Sequence, residues 1–585
     1  MILSHTPLRK TPHEPQLGER QQYLLLGLVF AAGFFGYLMV TLGWGTMIPG
    51  DLGDARFNSV ILEHLYQWVT RSTPKLWSPP FFYPFDGALA FSDNHFGTVW
   101  PYIVARLGGL PREHAFQVWF AIGTCLNFWV CWRVLTRLGY SIAASAAGAF
   151  VFTFALPALS QEGHAQLVYR FAIPLAFEAW YRTITTRQFL GLVQTALWVA
   201  VQFLCSIYLG IFLVYLLIAF SIVSFLFFTL RYAKHWPLLF TQRQSKKKHA
   251  SGSRASSQKT IIYIALAMAA LALVYFTLRK YQQIAFDYHF VRSMDEIKSM
   301  LPRPGSYLLA DHTVLSNWLG RYVSDVPMRS EQQMFFGLGT IVVSILGLLG
   351  SLWHLCRPTK LSQLSQLTFI AFLTLLFLMG ATMMLGTQSF YLELLTVPGI
   401  SSIRAVSRIV LVMLLPMGLM VAMGVDSLVT AKWAMRPKYL AILVLFALVT
   451  VESMFYQPHH APILESWGGR LRNLEALIAK ELPLAANSIL FVNQASQDTF
   501  FLTELDAMIY AQDRHLRTLN GYSGNTPPNY TYPDPCLPND MRVNSFFAFA
   551  EPSDTKRQQI LDNLRTISPL PCFKPPENKA GTAQK

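Results

Sequence analysis

Long apolar runs recur between Tyr23 and Phe455, each close to the ~20 residues a helix needs to cross a ~30 Å hydrocarbon core. They fall near 22–44, 114–135, 141–158, 167–184, 188–206, 208–230, 261–279, 334–354, 366–386, 405–424 and 438–455. The runs are continuously apolar and lack the alternation of a half-buried strand, so helices rather than a barrel are expected to span the bilayer. The fold class that follows is an all-α polytopic membrane bundle of about 11 transmembrane helices.

The polar segments between these runs predict the rest. The loop 45–113 carries Ile61, Leu65, Trp68 and Val69 at helical spacing, with Glu63, His64 and Gln67 on other faces, the pattern of a helix lying in the membrane interface. Pro79-Pro80-Phe81-Phe82-Tyr83-Pro84 then breaks helix and supplies an aromatic loop. A second long loop, 280–333, holds Pro302, Pro304 and Gly305 among mixed charges. Residues 456–568 read as a small soluble α/β domain, with helices near 465–482, 501–512 and 555–567 and a strand from Ser488 to Asn493. The tail 569–585 is proline-rich and polar and is expected to be disordered. The segment 241–259, with Lys246-Lys247-Lys248, reads as a flexible basic linker. Residues 1–21 are polar and the first apolar run is too long for a cleavable signal, so that run is expected to be a retained anchor.

Composition agrees with this class: 53% of residues are hydrophobic and only 14% charged. The positive charge is periodic. Arg9, Lys10 and Arg20, then Arg133 and Arg137, Arg182 and Arg187, the stretch Arg231 to Lys259, Arg357 and Lys360, and finally Lys432, Arg436 and Lys438 fall in every second connection. The bias predicts a cytoplasmic N-terminus and an external segment after Phe455. The net charge of +15 is then mostly this signature plus attraction to lipid headgroups. No recognition motif accompanies it, and no nucleic acid is expected as a partner. Cys125, Cys131 and Cys205 fall in spans and Cys356 at an inner edge, leaving Cys536 and Cys572 in the external tail, where an oxidising compartment would let them pair.

Several external polar clusters are candidates for chemistry. Asp51 and Asp54 in Gly50-Asp51-Leu52-Gly53-Asp54-Ala55-Arg56-Phe57 are three apart, so in a helix or turn they share a face, with Arg56 near enough to hold one ionised. A carboxylate there could act as the base for a hydroxyl acceptor. The alternatives are a solvated acidic loop, or Asp51 as the cap of a helix beginning near Phe57. In the short turn Ser160-Gln161-Glu162-Gly163-His164, Glu162 and His164 could bind a divalent metal or position an acceptor, or be an ordinary wet turn. Asp93 and His95 in Ser92-Asp93-Asn94-His95 repeat that chemistry as further metal or phosphate ligands. Arg404 and Arg408 are four apart, hence on one helical face, at the external start of a span. Two cations there oppose the helix dipole and the charge bias, and a lipid phosphate would resolve both conflicts, as would simple snorkelling. The glycines 337, 339, 347 and 350 and the methionines from Met413 to Met423 read as helix packing and bundle core. Asn520-Gly521-Tyr522-Ser523-Gly524-Asn525-Thr526-Pro527-Pro528 reads as an aromatic turn that could stack on a sugar, or as a structured loop.

Together these pieces resemble the GT-C superfamily of integral membrane glycosyltransferases, in particular the uncharacterised bacterial YfhO-like and Rgt-like sets. The resemblance rests on GDLGDARF after the first helix, the long first loop, QEGHAQ in a short turn, PGISSIRAVSR at a helix start, and a C-terminal domain with NGYSGNTPP. It implies a multi-pass enzyme of the bacterial inner membrane. Such an enzyme transfers a sugar, with inversion, from a polyprenyl-phosphate donor to a lipid-linked glycan, lipid or protein on the periplasmic face. It places the family's first-loop aspartate on Asp54 or Asp51 and its later acidic residue on Glu162, with His164 beside it and a divalent metal (Mg or Mn) as a candidate cofactor. Arg404, Arg408 and Arg56 would face the lipid phosphate. The chain departs from better-characterised members in lacking an Asp-Glu pair in the first loop and a lysine-proline-proline segment. Against a flippase of lipid-linked sugars stands the scarcity of acidic residues within spans, Glu178 and Glu452 being the main ones. A non-catalytic envelope assembly protein would leave the carboxylates and arginines at helix ends unexplained.

Overall fold

The computed structural model describes residues 17–232, 253–356, 362–397, 400–431, 434–481, 484–495, 499–538 and 540–572. Each of the eleven apolar runs is helical. Nine helices among the described residues are long and apolar enough to cross a membrane: Glu19–Thr41, Arg112–Leu138, Ile142–Leu159, Ile207–Arg231, Thr260–Asp287, Leu338–Leu355, Gln363–Thr382, Val406–Val429 and Met435–Met454. The other two, Ala172–Thr186 and Phe189–Cys205, are shorter at 15 and 17 residues. The protein is therefore a multi-pass helical membrane bundle.

The helix Val406–Val429 is its axis, fully enclosed by its neighbours. Its methionines Met413, Met417, Met420 and Met423 are buried, as the core reading expects. Small residues let the other helices close on it. A Cβ on Gly148 would stand 2.6 Å from the Gly418 carbonyl oxygen, and one on Gly347 only 1.9 Å from that of Met420, so backbones approach where a side chain would hold them apart.

A second layer covers one end of the bundle. Strand β1 (Met47–Pro49), just past the first span, pairs antiparallel with β2 (His460–Pro462), just past the last. The C-terminal segment then builds a parallel three-stranded sheet in the order β4-β3-β5, with β3 at Ile489–Val492, β4 at Arg517–Thr518 and β5 at Leu564–Ile567. Helices Gly469–Glu481, Phe500–Asp513, Met541–Ala550 and Asp554–Asn563 accompany it. The expected helix at 555–567 ends at Asn563 because Leu564–Ile567 is taken into the sheet beside β3. Helix Met541–Ala550 and the short β4 are additional to the expected elements. Cys536 and Cys572 are disulfide-bonded. Most of the tail (573–585) and of the linker (241–252) lies outside the described residues, while 253–259 begins the long helix Ser253–Asp287.

The first-loop helix, Asp54–Val69, differs most from expectation. It does not lie in the membrane interface: Ala55 through Leu65 are all buried, because helix Phe500–Asp513 covers the face turned away from the bundle. Only its end, at Trp68 and Val69, is exposed. The short helix Trp100–Leu107 has the exposed apolar face instead, through Trp100, Val104 and Leu107. Arg56 is correspondingly not a phosphate ligand and does not serve Asp54. It is completely buried and donates from Nη2 to Asp506 Oδ1 at 2.6 Å, with Arg470 on the other carboxylate oxygen at 2.8 Å. Trp467 lies under its guanidinium, 5.3 Å away.

Removing Asp506 strands the Arg56 guanidinium in a low-dielectric site, at a cost of about 3–5 kcal/mol, whereas removing Arg56 leaves Asp506 paired with Arg470. D506A is expected to lower the unfolding midpoint in detergent strongly, R56A less, and the double variant by less than the sum of the two, as measured in a thermal double-mutant cycle.

Candidate functional site

Where the second layer meets the bundle, five polar side chains from five distant stretches of chain converge. Asp54 is the first residue of its helix, whose start is set by Gly53 and by Asp51, whose Oδ1 accepts the Gly53 N–H at 3.0 Å. Asp51 thus caps a turn beside the helix rather than the helix expected at Phe57. Asp54 Oδ2 meets His164 Nδ1 at 2.7 Å, and its Oδ1 accepts the Tyr522 hydroxyl at 2.7 Å. The far side of the imidazole, Nε2, lies 2.9 Å from Glu331 Oε1. Glu331 is clamped in turn by Arg408, Nε to Oε2 at 3.1 Å and Nη2 to Oε1 at 3.0 Å. Arg408 also stacks over Tyr208, 5.4 Å from the ring centre.

The protonation pattern follows from this chain of contacts. His164 Nδ1 is bonded to Asp54, while its Nε2 lies 2.9 Å from Glu331 Oε1 and 3.1 Å from Arg408 Nη2, so the ring sits between two carboxylates and beside a guanidinium. Burial and Arg408 push His164 toward the neutral form, but Glu331 and Asp54 outweigh them and raise its pKa above the usual value. Burial would raise Asp54, yet the His164 bond and charge, the Tyr522 hydroxyl and Arg408 hold its carboxyl below the usual range. Glu331 is held further down by Arg408 and His164, again against burial. The Tyr522 hydroxyl is pushed up by burial and by Asp54, which keeps it a donor.

The loops that carry these groups are fastened to one another. Gly50 has a φ of +83°, and a Cβ there would stand 2.9 Å from Gly163 Cα, so the Asp51–Asp54 loop lies directly on the His164 turn. Gly50 N–H donates to the His459 carbonyl at 2.8 Å, while the Glu162 carboxylate accepts the His459 N–H and, at 2.7 Å, the Tyr37 hydroxyl. On the other side Glu504 holds the Tyr522 turn. It accepts from Asn520 Nδ2 and Gly521 N–H, both at 2.9 Å, and is ion-paired with buried Arg542. The turn is therefore a structured loop whose tyrosine points its hydroxyl at a carboxylate.

Several expected roles change with these positions. Glu162 and His164 do not share a ligand: the Glu162 carboxylate turns back toward Tyr37 and His459, and burial pushes its pKa up to about 8. Both imidazole nitrogens of His164 are taken up, Nδ1 by Asp54 and Nε2 between Glu331 and Arg408. Among the described residues no group of three or more His, Cys, Asp or Glu side chains is arranged to hold a metal ion, and these residues do not fit the divalent cation expected of them. Asp93 is not a ligand either. Its oxygens accept the Ser206 hydroxyl and the Ile207 N–H, both at 3.0 Å, capping the start of helix Ile207–Tyr232. His95 is buried, bonded through Nε2 to Asn58 Oδ1 at 2.7 Å, and burial lowers its pKa to about 3, so it is neutral and structural. Asn58 in turn donates to the Asp54 carbonyl at 2.7 Å, which places His95 behind the Asp54 backbone. Arg404 and Arg408 do not share a helical face: Arg404 precedes the 3₁₀ turn Val406–Ile409 and donates to Glu296 at 3.0 Å, while Arg408 is inside it. Pro398 and Gly399 of that motif lie outside the described residues. Arg404 is near enough to act electrostatically on Tyr522, so both arginines border the cluster.

Glu331 and the Tyr522 hydroxyl are the contributions that the sequence did not assign. Glu331 sits in the 3₁₀ turn Arg329–Gln332 of a long loop among other charges, and nothing in its spacing separates it from them. The acidic residues within spans are bound locally: Glu452 accepts the Gly339 N–H at 3.0 Å, and Glu178 pairs with Arg137 at 3.4 Å.

Comparison with family models and with curated protein sequences finds no match. Among solved structures, the chain is similar to the arabinofuranosyltransferase AftD from mycobacteria, at a TM-score of 0.40 and 12% identity over 82% of this chain and 30% of that one. It is also similar to an Archaeoglobus fulgidus oligosaccharyltransferase tethered to an acceptor peptide, at a TM-score of 0.41 and 12% identity over 86% of this chain and 64% of that one. The chain spans under a third of the first protein's length and less than two thirds of the second's.

Because the His164 pKa is raised, its contribution to stability is complete below the unfolded value of about 6.5 and is lost as pH rises through the folded value. Thermal unfolding in detergent is expected to show wild type losing midpoint relative to H164N as pH is taken upward from about 6.5; parallel curves for the two proteins would contradict an imidazolium between Asp54 and Glu331.

Proposed function

We propose that this chain is a membrane glycosyltransferase of the GT-C type, transferring a sugar from a polyprenyl-phosphate donor to a hydroxyl-bearing acceptor at the face of the membrane that carries the C-terminal layer. The observation that carries this reading is the ionised Asp54, oriented by His164 on one oxygen and Tyr522 on the other, within a cluster bordered by Arg404 and Arg408 at the ends of membrane helices. A lipid-anchored donor approaches from the side of the bundle, and a polar acceptor from the water.

In the proposed step the acceptor oxygen attacks the anomeric carbon, the bond from that carbon to the phosphate oxygen breaks, and the phosphate leaves with the electron pair, inverting the centre. Asp54 retains a free lone pair on each oxygen. It accepts a hydrogen bond from the acceptor, orients it, and takes its proton as the bond forms. Its low pKa makes it a weak base, so positioning and late proton capture carry more of its effect than proton abstraction from the ground state. Arg404 is a third exposed, and Glu296 occupies only Nη1 of its guanidinium, so it offers the remaining donors to the leaving phosphate. Arg408, buried against Glu331, supplies positive potential and fixes His164 rather than touching the phosphate. Periplasmic placement, and a lipid-linked glycan, lipid or protein as acceptor, belong to the same reading.

The test is sugar transfer in membranes holding equal amounts of each variant, alongside glycolipid and surface-polysaccharide profiles of cells with and without the protein. D54N is expected to lose about 100-fold or more of the transfer rate, and Y522F about tenfold, the worth of one hydrogen bond to a charged group. Full transfer by D54N at normal expression removes the base assignment, and unchanged glycans in cells lacking the protein remove the glycosyltransferase reading.

A further inference from the structure

At the end of the bundle away from this cluster lies a second cavity, of about 500 Å³, between helices Arg112–Leu138, Ala172–Thr186, Phe189–Cys205 and Ser253–Asp287. Its position follows from the first of these helices. Arg112, at the start, is ion-paired with Asp513 of the C-terminal layer, whereas Arg133 lies 21 residues further on, roughly 30 Å along the axis at 1.5 Å per residue.

The lining is unlike a packing defect. Three guanidinium groups, Arg133, Arg137 and Arg182, face one carboxylate, Glu178, which Arg137 reaches at 3.4 Å and Arg182 at 3.7 Å. Arg133 is exposed and has no carboxylate partner among the described residues. Trp132 and Trp198 form apolar walls. The cavity therefore has a surplus of positive charge, which a phosphate ester satisfies. Its indole walls continue onto outward-facing apolar surface at Trp129, 39% exposed, and Leu192, 45% exposed. A free phosphate ion has no use for such walls, but the glycerol and first acyl carbons of a lipid do.

We infer that this cavity is a binding site for the phosphate headgroup of an anionic phospholipid, in the leaflet opposite the catalytic cluster. Basic pockets between membrane helices suit such headgroups, and each arginine near a phosphate is worth about fivefold in affinity. The lipid bridges helices Arg112–Leu138 and Phe189–Cys205, holding the two short helices in the bundle. The site does not depend on the transferase reading, because none of its residues reaches the Asp54 cluster.

The test uses the full chain in mild detergent, titrated separately with phosphatidylglycerol, phosphatidylcholine and inorganic phosphate, with bound lipid counted by native mass spectrometry and the unfolding midpoint recorded. Phosphatidylglycerol is expected to be retained and to raise the midpoint at concentrations where phosphatidylcholine does neither. R133Q, which leaves no buried partner behind, is expected to weaken retention about fivefold, and W198A, which removes one of the indole walls, to weaken it independently. Equal retention of the two lipids, unchanged retention in both variants, or displacement of phosphatidylglycerol by millimolar inorganic phosphate would each overturn the assignment.

Discussion

A charge taken out of water must find its opposite, and the helix Asp54–Val69 is where this protein meets that demand. Asp54 and Arg56 stand two residues apart in it and therefore on different faces. Arg56 turns outward into Asp506 and fixes the C-terminal layer, while Asp54 turns toward His164 and the bundle. The helix is covered on both sides as a result, and the position of every other site residue follows from it. Neither charge could be left without its partner at the cost such burial imposes.

The same constraint explains why the cluster is assembled from so many pieces. Each of its connections lies at one end of the bundle, and the strand pair β1 and β2 draws the exits of the first and last spans together. Gly50 allows the first-loop backbone to rest on the His164 turn, and Glu162 secures both to the segment after the last span. Glu504 and Arg542 do the corresponding work inside the C-terminal layer, so that Tyr522 arrives on the remaining Asp54 oxygen already oriented. Preorganised groups of this kind lose little freedom when a substrate binds, which is where a site of weak individual residues gains its effect.

The two ends of the bundle present opposite electrostatic designs. At the Asp54 end each carboxylate lies against a cation or a ring nitrogen. At the other, three arginines share one glutamate between walls of tryptophan. A membrane supplies anions at its surface, so a cavity there can leave its cations unpaired by protein.

The linear sequence determined the bundle. Apolar runs of membrane length, the loops between them and the alternating basic connections are local signals, and all eleven runs are helical, with the glycine and methionine stretches in helix contacts and core. It also marked Asp54, His164 and Arg408, because polar residues at the ends of apolar runs are conspicuous. What it left undecided is which polar residues meet. Arg56 looked like Asp54's companion and is Asp506's; Glu162 and His164 are two apart and face different partners; Arg404 and Arg408 pair with separate glutamates. Glu331 and Tyr522 enter the cluster from 167 and 358 residues after His164. Hydrophobic periodicity is written within a few turns of one helix, whereas the pairing of buried charges is a property of distant segments brought together, and only the tertiary structure decides it.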